Sequence, residues 1–412
     1  MLKLIISIMV ILMVIFMNSS LMYSQPGWHS MTPSPTADDM YSVFFINSST
    51  GWAGGENGTL LKTTDASSGW VQLNTGTANL INSVFFIDAN TGWIAGEGGM
   101  IEITTNGGTN WSPQGSGTTN YLTSVCFLNQ NTGWIAGTYG KILKTTNGGN
   151  SWLSLASGTE NFLISVFFRD LNTGWAVGYM GIIIKTTDGG ASWDLQPSGS
   201  EDYLRSVYFT DLNTGWTVGD NGAILKTING GTNWNYQVST SNEILQSLSF
   251  INANTGWAAG NSGTILNTTN GGTSWNTQIS NTTELLNSIC FTDAMHGFIA
   301  GFNGTILKTT NGGSVFVSDP GSSVPDGFYL SQNYPNPFNP STNLEFGISK
   351  LGFVSLRVYD ALGKEVAVLV NEKLIPGIYA FKFDASNLVS GVYFYKLEAG
   401  NFTQTKRMLL IM

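Results

Sequence analysis

The octapeptide TTDGGASW, residues 186–193, sets a carboxylate between a hydroxyl-bearing pair and two glycines, ahead of a tryptophan. Such a carboxylate could act as a general acid or base, or ligate a cation. The slot recurs as TTDASSGW, TTNGGTNW, TTNGGNSW, TINGGTNW, TTNGGTSW and TTNGGSVF, and its third position holds Asp65, Asn106, Asn147, Asp188, Asn229, Asn270 and Asn311. An amide does not ionise, so a role filled by Asn in five of seven copies is not acid–base catalysis or metal binding. Asp and Asn both accept backbone N–H bonds and tolerate left-handed dihedrals, and the following glycines supply positive φ. The slot reads as a structural turn.

Other reactive types are sparse. His29 and His296 are the only histidines, too few and too scattered for a Ser-His-Asp triad or a zinc site. Glu160, Glu201, Asp202, Glu243 and Glu284 could supply the facing carboxylates of a glycosidase. Each of them sits in an equivalent loop of a repeat, so repetition already explains them. No metal site and no cofactor is expected.

These residues are positioned by a repeat. TGW recurs with Trp52, Trp93, Trp134, Trp175, Trp216 and Trp257, and HGF puts Phe298 in the seventh place, every step being 41 residues. Ser42, Ser83, Ser124, Ser165, Ser206, Ser247 and Ser288 run in phase, as does a glycine series from Gly55 to Gly301. Each unit holds four short apolar segments, in the fourth LISVFF, TGWAVG, GIIIKTT and SWDLQP, joined by turn-rich connectors. Four strands per unit make a propeller blade, so an all-β fold with a seven-bladed ring is expected. The two tryptophans per unit read as inter-blade packing rather than a sugar platform.

In the seventh unit Phe316 replaces the second tryptophan, whereas PGWHSMTP near the N-terminus looks like a detached fourth strand. Trp28 precedes Ser42 by 14 residues, against 13 elsewhere. The Trp28 strand is therefore expected to complete the last blade, with residues 314–319 as the competing candidate. Cys126 and Cys290 occupy one repeat position four blades apart, too far for a disulfide.

Loops after the second and fourth strands should open on one face, opposite the TTDGGASW-type turns. That face is the candidate partner surface, with Tyr121, Tyr139, Phe162, Tyr179 and Tyr203 beside Glu160, Glu201, Asp202, Glu243 and Glu284. The aromatics either stack on a ligand or cap the blade core, with the acids solvating the rim.

The chain starts MLK followed by an uncharged run from Leu4 to Met17, the pattern of a secretory signal peptide over 1–24, cleaved between Ser24 and Gln25. No later segment could span a membrane as a helix. Residues 25–320 carry 19 acidic and 8 basic residues, whereas 321–412 carry 7 and 8. The acidic larger part argues against nucleic-acid binding. A Pro/Gly/Ser-rich linker at 321–327 leads to residues 328–412. There, alternating segments such as GIYAFKFDAS and GVYFYKLEAG predict a small Ig-like β-sandwich.

Three resemblances attach to these motifs. The octapeptide is the Asp-box, or BNR, pattern shared with sialidases, but those enzymes clamp a carboxylate with three arginines and this propeller has only Arg169 and Arg205. The unit SVFF…NTGW…G.ILKTTNGG.SW, over 41–316, resembles the photosystem II stability/assembly factor-like propellers. Their photosynthetic members use a basic patch on their client, and no such patch exists here. The C-terminal part resembles the type A sorting domain of the type IX secretion system of the Bacteroidota, through Asn336-Pro337-Phe338-Asn339-Pro340, Val358-Tyr359-Asp360 with Gly363, Ser390-Gly391-Val392-Tyr393 and the tail Lys406–Met412. It departs in ending LLIM without a final lysine. The resemblance implies Sec export, then type IX secretion through residues 328–412 to the medium or the outer-membrane surface.

The combined reading is a secreted or surface-displayed monomer, non-enzymatic, that binds or scaffolds an extracellular glycan or protein. A surface polysaccharide hydrolase and a purely structural repeat protein are the alternatives.

Overall fold

The structure is a computed structural model that describes residues 27–31, 35–66, 69–313, 325–374, 376–385 and 388–411. The expected signal peptide over 1–24 and the alternative closing strand 314–319 lie outside the described residues. Two compact units divide at 314/315.

The first unit is built of seven four-stranded antiparallel sheets in simple up-and-down order. In the fourth, Leu163–Phe168 pairs with Gly174–Gly178, then Ile183–Thr186, then Asp194–Gln196, with Phe167 opposite Trp175 and Trp175 opposite Lys185. The second strand of every blade is buried throughout, because both its faces pack on neighbouring sheets. That burial accounts for the continuous apolar runs in TGWAVG-type segments. Gly178 ends its strand against the Phe162 carbonyl oxygen, where a Cβ would overlap that atom.

Adjacent blades meet through one repeated set of contacts. Trp175 stacks flat on Phe209 of the next blade at 3.5 Å between ring centroids, and Trp234 of that blade meets Phe209 edge-on at 5.8 Å. The Trp175 indole Nε1–H donates to the Gly230 carbonyl at 3.0 Å. The phased serine completes the joint, with Ser165 Oγ accepting from Val207 N at 3.3 Å. All seven serines do this, the last through Ser288 Oγ and Val43 N at 3.1 Å, which closes the ring between blades seven and one.

Blade seven takes its outer strand from the N-terminus. His29–Ser30 pairs antiparallel with Ile306–Thr309, His29 facing Lys308. Trp28 is fully buried and meets Phe291 edge-on at 5.7 Å, the place held by Trp193 on Phe168 in blade four. Its Nε1–H donates to Gln278 Oε1 at 2.9 Å. At the blade seven to one joint, Phe298 stacks on Phe45 at 3.5 Å in place of a tryptophan, and Lys308 Nζ donates to Ala66 O at 2.7 Å.

One blade breaks the apolar pattern. Glu102 stands where other third strands bury Leu61, Leu143, Ile184, Leu225, Leu266 and Leu307, and it is only 6% exposed. Its Oε2 has no hydrogen-bond partner, and burial pushes its pKa up.

The second unit is a sandwich of two sheets. One orders Tyr329–Leu330, Ser341–Ile348 and Gly377–Asp384; the other orders Glu365–Leu374, Gly352–Tyr359, Gly391–Ala399 and Phe402–Leu410. Its own core includes Leu344, Phe346, Leu356, Tyr395 and Met408. Phe338 of the Asn-Pro-Phe-Asn-Pro run is buried, and its backbone N–H and C=O bond to Leu409 and Ile411 at 3.0 Å. Asn336 Oδ1 accepts from Leu409 N at 2.9 Å. The motif thus pins the last strand to the sandwich.

Two outcomes follow from this packing. Trp28→Ala removes a buried indole and its bond to Gln278, so unfolding by urea should show a loss of about 3–5 kcal/mol; an unchanged midpoint would mean that this strand does not fasten blade seven. Because the folded-state pKa of Glu102 is raised, full stability from this group exists below the ordinary carboxyl pKa and is lost as pH rises through the raised value. Glu102→Leu should add about 1–3 kcal/mol at pH 8 and little at pH 4, read from urea midpoints at the two pH values; an equal gain at both would assign the effect to packing alone.

Candidate functional site

The propeller has two loop faces, and antiparallel connectivity decides what each carries. Connections from first to second and from third to fourth strands share one face; those from second to third strands and between blades share the other.

On the first face stand the seven box turns. In blade four Thr186 Oγ1 donates to Asp188 Oδ1 at 2.8 Å and accepts from Gly190 N at 2.8 Å. The same Asp188 oxygen accepts from Ser192 N, while Ser192 Oγ donates to Asp188 Oδ2 at 2.6 Å. The Ser192 hydroxyl and amide hold the Asp188 pKa down to about 2. Asn106, Asn147, Asn229 and Asn270 accept the same two donors through Oδ1, from the threonine two residues before and the backbone four after. Asn311 takes its threonine and Gly313 N, while the Asp65 turn differs, Ala66 N donating back to Thr63 Oγ1. The seven side chains stand at seven blade ends, one to each, rather than converging on one centre.

The turns also receive the preceding blade. Gly189 O accepts both Trp134 Nε1–H at 3.0 Å and Lys144 Nζ at 2.8 Å, and the same ammonium lies 5.3 Å from the Trp134 ring. Lys62 and Gly107 repeat the contact. Sequence reasoning passed over these lysines, although their phase in the LKTT segments was the available signal.

The opposite face carries the aromatics. Tyr139 lies in the turn after the second strand of blade three with φ of 55°, and Phe162 leads into blade four. Tyr179 occupies the corresponding turn of blade four and Tyr203 leads into blade five. Four rings from three blades become one strip. Tyr139 meets Phe162 edge-on at 5.0 Å, Phe162 leans on Tyr179 at 4.9 Å, and Tyr179 stacks on Tyr203 at 4.1 Å. Tyr139 is 66% exposed and the neighbouring Met180 68%.

Tyr121 stands apart from this strip, its hydroxyl donating to Glu97 Oε1 at 2.8 Å, a bond that raises the tyrosine pKa. Among the acids, Glu160 and Glu201 are exposed beside the strip, each two residues before one of its rings. Asp202 accepts from Asn221 Nδ2 at 2.7 Å and from Tyr236 Oη at 3.3 Å, and Glu284 Oε2 accepts from Asn303 Nδ2 at 2.8 Å. Glu243 and Glu284 belong to the entrances of blades six and seven, away from the four rings.

His296 Nδ1 sits 2.9 Å from Asp293 Oδ2 in a turn. Cys126 and Cys290 are free, and burial pushes both thiols up to about 11. Among the described residues no group of three or more His, Cys, Asp or Glu side chains could hold a metal ion, and no helix is long and apolar enough to cross a membrane. The geometry offers a surface with a partly exposed aromatic strip on the face opposite the box turns.

Comparison with known proteins fits this architecture. A structure of YCF48 bound to a D1 peptide is similar at a TM-score of 0.59 and 24% identity, covering 69% of this chain and 97% of that one. YCF48 from Cyanidioschyzon merolae gives 0.59 and 21%, covering 68% and 98%. PorZ, a surface component of the type IX secretion system of Porphyromonas gingivalis, gives 0.54 and 12%, covering 90% of this chain and 59% of its own. At these identities the likeness is one of fold. No curated protein matches the sequence. Residues 332–411 match the profile of the secretion system C-terminal sorting domain, which marks the chain for export to the cell surface or medium. The profile of the photosynthesis system II assembly factor YCF48 matches residues 20–115, 62–161 and 197–282, more than half of the chain, and the protein therefore belongs to that family of repeat propellers.

Proposed function

We propose that this protein is a non-enzymatic surface or secreted binding propeller that holds an extracellular partner on the face opposite its Asp boxes. The observation that carries the reading is the strip Tyr139, Phe162, Tyr179 and Tyr203, assembled from three blades and left open to solvent at Tyr139 and Met180. Large exposed aromatic groups on a rigid scaffold are what partner surfaces use, because rings bury much area at little conformational cost. A Sec signal over residues 1–24 starts export, a linker at 321–327 separates the units, and residues 328–412 address the chain to the type IX machinery.

On a panel of glycans and peptides the wild-type protein should capture a ligand that the double variant Tyr139→Ala/Tyr179→Ala loses, with the melting temperature lowered by less than about 3 °C. A collapse in stability would instead assign these rings to packing. Deleting residues 328–412 should strand a folded propeller in the periplasm, read by fractionation and limited proteolysis, because each unit has its own core. Arrival of the truncated chain in the medium would remove the sorting role.

A further inference from the structure

We infer that the partner of the aromatic strip is a polypeptide segment carrying lysine or arginine side chains, an inference that rests on the strip being the binding surface. The first ground is how charge divides between the two faces. The loops and turns on the strip's face carry ten acidic residues against one basic residue, Lys141, and Arg205 stands just inside the first strand of blade five at the same end. Both cations are engaged there, Lys141 Nζ with Ser154 Oγ at 3.1 Å and Arg205 with Asp220. The box face and its strand ends carry seven acidic and six basic residues, Lys62 and Lys144 bonding to box-turn carbonyls. The charge excess of the propeller therefore lies almost wholly on one side, where it attracts cations over about 8–10 Å at physiological salt.

The second ground is the packing of the rings. A sugar platform offers an open aromatic face. Here Tyr179 and Tyr203 cover each other with 3° between their planes, Phe162 leans on Tyr179, and Tyr139 meets Phe162 edge-on. What remains exposed includes most of Tyr139, part of Tyr203 and the Met180 side chain, a surface along which the aliphatic stems of Lys and Arg can lie. Glu160 and Glu201 then stand where the charged heads emerge, each two residues before a ring of the strip, Phe162 and Tyr203. An acid beside an aromatic on successive inter-blade loops gives register for an extended basic chain.

The test uses the full exported chain and fluorescence anisotropy of a labelled peptide of about twelve residues that repeats Gly-Lys-Gly-Arg, its glutamate counterpart, and neutral oligosaccharides. The basic peptide should bind, and binding should weaken about tenfold or more in Tyr139→Ala/Tyr179→Ala and in Glu160→Gln/Glu201→Gln. It should also weaken when NaCl rises from about 50 to about 300 mM. Asp188→Asn, which removes one charge from the box face in the form other blades already use, should leave it unchanged. The exposed Glu160 and Glu201 positions keep the test valid if the tyrosine variant fails to fold. Failure to bind the basic peptide, or equal binding by both variants, overturns the inference. If neutral oligosaccharides bind instead in a Tyr139- and Tyr179-dependent way, the strip remains the binding surface and only its cationic partner is lost. If the tyrosine variant folds and changes no binding, the strip reading falls as well.

Discussion

In six of the seven blades the indole of the second strand grips the following blade twice, by stacking on a phenylalanine of its first strand and by donating Nε1–H to a carbonyl in its box turn. A flat contact near 3.5 Å with a directional bond at the ring's edge leaves the two sheets little freedom to slide or rotate. Six such joints and the Phe298–Phe45 stack at the seventh, with the serine-to-amide bond at all seven, carry the ring from blade seven back to blade one. The box turn is thus held from inside by its Asp or Asn and from outside by the preceding blade. That double duty explains why its glycines and threonine recur while the charge of its third residue does not.

The joint also divides the surface into two regimes. Box-face loops carry the hydrogen bonds and lysine contacts on which the ring depends. The opposite loops have a lighter duty, a short turn whose backbone bonds to its neighbour, such as Tyr179 N to Phe162 O at 3.0 Å. Side chains projecting from these turns are free to differ from blade to blade, and they do: Glu56, Glu97, Tyr139, Met180, Asp220 and Phe302 stand in or beside equivalent turns. Recognition chemistry belongs where structural duty is light.

The sorting sandwich follows the same economy on a smaller scale. Its Asn-Pro-Phe-Asn-Pro run spends one buried ring and several bonds on holding the final strand, so the basic-apolar tail is part of a folded surface. The tail's outward residues, Arg407 and Leu409 among them, are displayed on a fixed strand.

The repeat of 41 residues, the turn chemistry of the box and the period-two pattern of residues 328–412 were all local signals, so the all-β propeller and sandwich were legible before any coordinates. So was the pairing of Trp28 with the last blade, because a fourth-strand motif was missing at one end and surplus at the other. The loop face that carries the aromatic residues could be read from the sequence only as a set of loops. That Tyr139, Phe162, Tyr179 and Tyr203 join while Tyr121 bonds to Glu97 depends on inter-blade spacing, which no single repeat encodes. Glu102 is likewise silent in sequence, since a lone acid among leucines declares its burial only when the neighbouring blade covers it. The sequence by itself determined which elements form and how many; tertiary structure decided which side chains from different blades meet, because those contacts depend on ring closure.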